Sequence, residues 1–266
     1  MQFSVIIFLM DIIQTLILSF VEGVTEFLPI SSTGHLILTS QILGIKQTEF
    51  VKSFEIIIQL GAILSIVFLY YKTLLNTKIW PKIFVAFLPS AVVGLLFYKI
   101  IKEFLIGNSL ITVIALLLGG VAFILVEYLN KEKQTNQILK IEQITLKNAL
   151  IIGLFQSISV IPGVSRAGAT ILGALLLKTN RKTAAEFSFI LAVPTMAAAT
   201  GLDIFQTKLN FSSNELVLLA IGFVSSFIFA AISVKLLVKY LANHNFISFG
   251  IYRIALAIVF WLIYLQ

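Results

Sequence analysis

The chain has 266 residues, of which 59% are hydrophobic and 12% charged, with a mean hydropathy of +1.05 and a formal charge of +7. A soluble domain carries about 25% charged residues, so this composition excludes an ordinary soluble globule and points to a membrane-embedded chain. The basic residues are scattered over loops between apolar runs without aromatic interleaving, which argues against nucleic acid as a partner, and the lack of cysteine excludes disulfides, iron–sulfur clusters and thiol chemistry.

In chain order, the N-terminus has neither a basic n-region nor a small-residue cleavage site, so no removed signal peptide is expected. The first apolar segment, 3–44, is broken between Pro29 and Gly34. Apolar runs at 53–71, 83–101 and 109–129 follow, each supplying the roughly 20 residues a helix needs to cross a bilayer. A polar stretch from about Tyr128 to Lys147 reads as a linker or short surface helix. A second broken segment, 146–177, is interrupted at Pro162-Gly163-Val164-Ser165-Arg166, and three more runs follow at 184–204, 214–236 and 247–265. Each broken segment is either two crossings or a re-entrant hairpin, whose irregular backbone is tolerated at depth only where protein or a wet cavity surrounds it.

If both breaks are re-entrant, six spans remain. The loops at 72–82, 127–147, 178–183 and 235–246 then share one side with 12 Lys/Arg, against 5 in the loops at 45–52, 99–108 and 203–213. The positive-inside rule places the richer side in the cytoplasm. A hairpin followed by three spans reverses orientation, so the second half is inverted relative to the first. The expected fold is therefore an all-α polytopic membrane protein: six transmembrane helices plus two re-entrant hairpins in one domain, 1–266, with inverted repeats at about 1–130 and 146–266. Pro29-x-x-Ser32 pairs with Pro162-x-x-Ser165 in this scheme, and Phe54-Glu55 with Ala185-Glu186. New helices beginning near Ser32 and Ser165 would turn free N–H groups toward a shared cavity, a ready anion site.

The candidate site residues cluster at the breaks. Glu22 and Glu26 lie one helical turn apart, and carboxylates in an apolar segment need a partner or water. They can hold a divalent cation, share a proton as acid and base, or stabilise the hairpin as a hydrogen-bonded pair. His35, three residues after Ser32, can meet it on one helix face and act as its base. Ser31, Ser32 and Thr33 are also natural helix caps. Arg166 keeps its charge and requires an anion, either a phosphate held bidentately or Glu22 or Glu26. Ser165 and Thr170 can extend a phosphate shell or cap and pack. Glu55 and Glu186 can face the site from their respective halves, while Glu127 and Asp203 sit near span ends. The set implies a membrane-embedded reaction on a phosphate or diphosphate lipid. An inverted repeat with broken helices is also a transporter signature, and phosphate release in detergent discriminates the two.

EGVTEFLPISSTGH (22–35) and PGVSRAGAT (162–170) resemble the two signature regions of the undecaprenyl-diphosphate phosphatase, or bacitracin-resistance, family. FEIIIQLGAI (54–63) and AEFSFILAVP (185–194) are similar to further family segments, so the resemblance covers essentially the whole chain. It implies a bacterial inner-membrane hydrolase that converts undecaprenyl diphosphate to undecaprenyl phosphate and inorganic phosphate, recycling the carrier of cell-wall synthesis and conferring bacitracin resistance. It also implies dependence on Mg2+ or Ca2+ held by Glu22 and Glu26, and an active site that opens outward. On the same resemblance Glu22 and Glu26 are the essential acids, Ser32 and His35 the proposed catalytic pair, and Arg166 the phosphate-binding arginine. Ser31, Thr33, Ser165 and Thr170 are the expected substrate contacts. Where the family reads SRSG this chain has Ser165-Arg166-Ala167-Gly168, so a second hydroxyl is missing there. The nucleophile stays open among Ser32, His35 and water. Association into a homodimer is compatible with this sequence, and no nucleic-acid partner is expected.

Overall fold

The computed structural model describes residues 10–97, 108–130, 137–206 and 211–264, with the single positions 100 and 105. These are almost wholly helical: α1 Ile12–Thr25, α2 Ser32–Ile42, α3 Glu49–Leu69, α4 Tyr71–Leu74, α5 Trp80–Leu96, α6 Ser109–Asn130, α7 Leu146–Ser157, α8 Arg166–Leu176, α9 Arg181–Gln206, α10 Ser213–Leu241 and α11 Ile247–Tyr264. Five helices within Glu49–Leu69, Thr77–Leu96, Ser109–Leu129, Arg181–Leu202 and Ser213–Leu241 are long and apolar enough to cross a membrane. The chain is a polytopic membrane protein. The sixth expected span is α11, whose 18 residues stand at the short end of that range. The expected linker after Tyr128 forms a short 3-10 turn at Ile141–Gln143 and a lone parallel bridge from Ile138 to Thr179. Lys99, Lys102, Lys131, Lys133 and Lys208, which entered the charge count, lie outside the described residues, as does the side chain of Asp203.

Local sequence accounts for the helix starts. Asp11 caps α1 in a capping box with Gln14, and Ser212 caps α10 in another with Glu215. Thr48 and Thr145 cap α3 and α7 through Val51 N and Asn148 N. The two breaks use one device. Ser31 and Ser165 both take positive φ, 71° and 72°, and each hydroxyl accepts from the amide of a glycine three residues on, Gly34 or Gly168. The matching position in the two breaks is thus Ser31 with Ser165, one residue off the Pro-x-x-Ser pairing. The serine follows Pro29 by two residues and Pro162 by three, because the second break carries the extra Gly163, at φ +92°. Ser32 and Arg166 therefore open their helices at the same position.

Helices meet where small residues let backbones approach. α10 lies on α1 and α3, with Ser226 donating to Ile58 O at 2.7 Å and Ser233 to Val24 O at 2.8 Å. α5 lies on α7, α9 on α3 and α8, and α6 on α11. At the last contact a Cβ on Gly120 would stand 2.7 Å from Gly250 O, and one on Gly250 would stand 2.7 Å from Gly120 O. Phe27, Phe123, Phe187, Phe189 and Phe246 fill the interior, Phe27 and Phe189 meeting edge to face at 5.6 Å. Large apolar side chains such as Phe68, Leu96, Leu118 and Trp261 cover the outside, as a lipid solvent requires.

Gly120→Leu should force α6 and α11 apart and cost about 1–3 kcal/mol, seen as a lower unfolding temperature in detergent. Gly94→Ala, on an open face of α5, should be neutral or stabilise by up to about 1 kcal/mol.

Candidate active site

The two breaks bring α1, α2, α8 and α9 to one buried cluster. Glu26, just past the end of α1, is its centre. Its Oε1 accepts from Arg166 Nη2 at 3.1 Å, and its Oε2 accepts from Ser32 Oγ at 2.6 Å. Ser32 and Arg166 reach it from opposite halves of the chain because each stands first in its helix. Arg166 is 11% exposed and Glu26 7%, so this ion pair is nearly desolvated. The arginine is further held by Nη1, which donates to Ser188 O at 2.9 Å and to Ser188 Oγ at 3.3 Å. The Thr170 hydroxyl lies 2.7 Å from Ser188 Oγ, and the Phe27 ring lies 5.7 Å from the guanidinium carbon. Arg166 Nε is buried without an acceptor.

Glu22 is fully buried one turn before Glu26, and neither of its carboxylate oxygens meets a hydrogen-bond donor. The charges acting on it are those of Glu26, Glu55 and Arg166. Two acids thus stand beside one arginine, and only Glu26 is paired with it. A hard cation with oxygen ligands fits the two orphaned oxygens of Glu22, since Mg2+ is commonly held by one or two carboxylates together with substrate phosphates. Among the described residues no group of three or more acids, histidines or cysteines converges, so a cation here would rest on this pair together with substrate oxygens.

The remaining expected residues divide clearly. Ser31 and Ser165 spend their hydroxyls on the helix caps, and Thr33 is exposed in the first turn of α2. His35 does not bond to Ser32. Helical side chains lean toward the N-terminus, so its Nδ1 reaches back to Ser31 O at 2.7 Å while Nε2 meets Tyr252 OH at 2.7 Å, with the two rings nearly parallel. A carbonyl can only accept, so Nδ1 carries a proton, and in the neutral ring the tyrosine donates to Nε2. Glu55 accepts from Gln47 at 3.2 Å, outside the hydrogen bonds of the cluster. Glu186 stands 4.0 Å from Lys182, away from it. Glu127 is a structural acid: it pairs with Arg181 at 2.7 Å and accepts from Phe246 N at 3.0 Å.

Sequence reasoning missed Ser188, Tyr252 and Arg253. Arg253 gave the same signal as Arg166, a guanidinium in an apolar span; it is fully buried and bonds to the backbone of both breaks. Ser188 and Tyr252 gave no signal, being ordinary residues within spans.

The cluster gathers groups of the kind that bind phosphate: an unpaired guanidinium N–H, a hydroxyl held by a carboxylate, and the first residues of two helices. A family model described as Bacitracin resistance protein BacA matches residues 15–259. Similar proteins include the undecaprenyl-diphosphatase of Sulfurihydrogenibium sp. (strain YO3AOP1), 50% identical over 96% of this chain and 100% of its own length. That of Aquifex aeolicus is 51% identical over 93% and 96%, and that of Campylobacter jejuni (strain ATCC 700819) 48% identical over 96% and 95%.

Glu26→Ala should strand the buried Arg166 charge and cost about 3–5 kcal/mol. Combining it with Arg166→Met should recover much of that loss, so the double variant unfolds above the temperature expected from additive single effects; additivity would mean the pair is not coupled.

Proposed function

The chain belongs to the Bacitracin resistance protein BacA family, and on that premise we propose that it hydrolyses undecaprenyl diphosphate to undecaprenyl phosphate and inorganic phosphate at the Glu26–Ser32–Arg166 cluster. The observation that carries the site assignment is the shared carboxylate of Glu26, with the hydroxyl of Ser32 on one oxygen and the guanidinium of Arg166 on the other. A serine oxygen attacks phosphorus only if its proton has somewhere to go, and Glu26 already accepts that proton.

In this reading Arg166 turns its unspent Nε and its Nη2 toward the terminal phosphate, and the N-terminal amides of α2 and α8 add partial positive charge. Ser32 Oγ bonds to the terminal phosphorus and passes its proton to Glu26. The bridging P–O bond breaks and undecaprenyl phosphate departs. Water then attacks the phosphoserine, the Oγ–P bond breaks, Glu26 returns its proton to Oγ, and inorganic phosphate leaves. A divalent cation, Mg2+ or Ca2+, would be held by Glu22 and Glu26 and would supply neutralisation of the diphosphate charge. Most of the barrier lowering is positioning and charge stabilisation, as phosphoryl transfer requires. His35 enters as a group that steadies the start of α2, since both of its nitrogens are engaged.

The relatives are bacterial, and the protein is a multi-pass protein of the cell membrane. Its architecture in the bilayer is read as six spans and two re-entrant hairpins in inverted repeats. Three observations support this. α1 and α7, with 14 and 12 residues, measure only about 18–21 Å against a hydrocarbon core of about 30 Å. Each also folds back on its partner, α2 or α8. The caps Asp11 and Ser31 recur as Thr145 and Ser165 at one sequence separation, which also sets Gln156 opposite Glu22. The basic loops are read as cytoplasmic, and membership of the family implies an active site that opens outward.

Purified protein with Mg2+ in detergent should release phosphate from undecaprenyl diphosphate, and EDTA should abolish it. Ser32→Ala, Glu26→Gln and Arg166→Lys should each lower kcat at least ~100-fold, or about 2.7 kcal/mol. Radiolabel from the terminal phosphate should map to Ser32; full activity of Glu26→Gln would remove the assignment. Because the chain has no cysteine, single cysteines at positions 46 and 178 should label from opposite faces of sealed vesicles, and labelling from one face would remove the inverted repeat.

A further inference from the structure

We propose that Arg253, in the middle of α11, is a positioning residue for the hydrolysis: by holding the backbone of both helix breaks at once, it sets the spacing between Ser32 and Arg166. The inference rests on the diphosphatase reading above and adds to it a residue that touches neither the phosphate nor its reacting groups.

Arg253 is completely buried, and among the described residues no carboxylate stands within ion-pair distance. A guanidinium has five N–H donors, and all five directions end on backbone carbonyls. Nη1 donates to Pro29 O and Val164 O, both at 3.1 Å. Nη2 donates to Gly163 O at 2.9 Å and Ala115 O at 3.1 Å, and Nε to Leu116 O at 3.3 Å. Pro29 lies three residues before Ser32, and Gly163 and Val164 lie immediately before the cap of Arg166. One rigid planar group thus joins the chain entering α2 to the chain entering α8, with α6 as a third support. Lysine offers three donors from a single point and cannot span the same carbonyls.

The neighbouring helix is shaped to this group. A Cβ on Gly119 would press on Arg253 Nη2 and lie 2.7 Å from Cζ, while its other near atom is also on that guanidinium. Such a contact is ordinarily relieved by moving a flexible side-chain tip, but here the tip is tied by its hydrogen bonds. Gly119→Ala therefore displaces the guanidinium without deleting it, and replaces glycine by the best helix former.

The test is steady-state phosphate release from undecaprenyl diphosphate, with thermal unfolding of the same preparations in detergent. Arg253→Lys and Gly119→Ala are expected to lower kcat at least ~30-fold with KM within about threefold of wild type, because the phosphate still meets Arg166 but the attacking serine is misplaced. Millimolar guanidinium is expected to restore kcat of Arg253→Ala at least ~10-fold, with methylammonium restoring none. The proposal is overturned if both Arg253→Lys and Gly119→Ala keep kcat within about threefold, or if their losses merely follow the fraction of folded protein with no guanidinium rescue of Arg253→Ala. Wild-type protein that releases no phosphate overturns the diphosphatase reading and the proposal with it, so the two failures are distinct.

Discussion

A helix interrupted inside an apolar layer exposes carbonyl and amide groups that no lipid can satisfy, and each such group costs free energy unless it finds a partner. This chain interrupts two helices, and much of its remaining polarity is arranged around that fact. The amides of Gly34 and Gly168 are taken by the hydroxyls of Ser31 and Ser165. The carbonyls of Pro29, Gly163 and Val164 are taken by Arg253. The carbonyl of Ser31 is taken by His35. With the backbone satisfied in this way, the side chains that begin α2 and α8 are left for something else.

What they meet is a polar cluster with hydrogen-bond positions left open. Glu26 and Arg166 cancel, whereas Glu22 is buried with no donor, and Arg166 keeps one N–H unspent. A structural ion pair network would be expected to close both vacancies, as Glu127 does by accepting from Arg181 and Phe246 N. An acid without a donor and a spare cationic N–H in one buried cluster suit a visitor bearing phosphate and its counter-cation, and both would lose their penalty when the visitor binds.

Long-range features of the chain were legible where they depend on hydropathy. The long helices follow from apolar length, the breaks from Pro29 and Pro162, and the importance of Arg166 from the cost of an unpaired guanidinium in lipid. The contacts within the site were less legible. Helix periodicity allows Ser32 and His35 to meet, yet a serine at the first position of a helix faces the preceding turn, which holds Glu26, and the histidine reaches back four residues. Nothing in a single sequence tells which of those directions wins. Arg253 was readable by the same argument as Arg166, but its partners are carbonyls, which carry no sequence identity. Ser188 also binds Arg166 partly through its carbonyl, and is silent for the same reason.

The two breaks are built alike and charged differently. Ser32 and Arg166 open their helices at equivalent positions, and Glu22 has as its counterpart Gln156, a neutral group paired with Ser90 at 2.7 Å and Thr195 at 3.3 Å. Two identical halves could not make this site. A serine facing its own copy lacks a cation, an arginine facing its own copy lacks an acid, and two copies of Glu22 would double a buried acid that one copy already leaves without a donor. The contacts of Glu26 with Ser32 and Arg166 thus depend on the two breaks being unequal within one continuous chain. Division of labour between the two breaks, more than their likeness, gives one buried cluster its unlike partners.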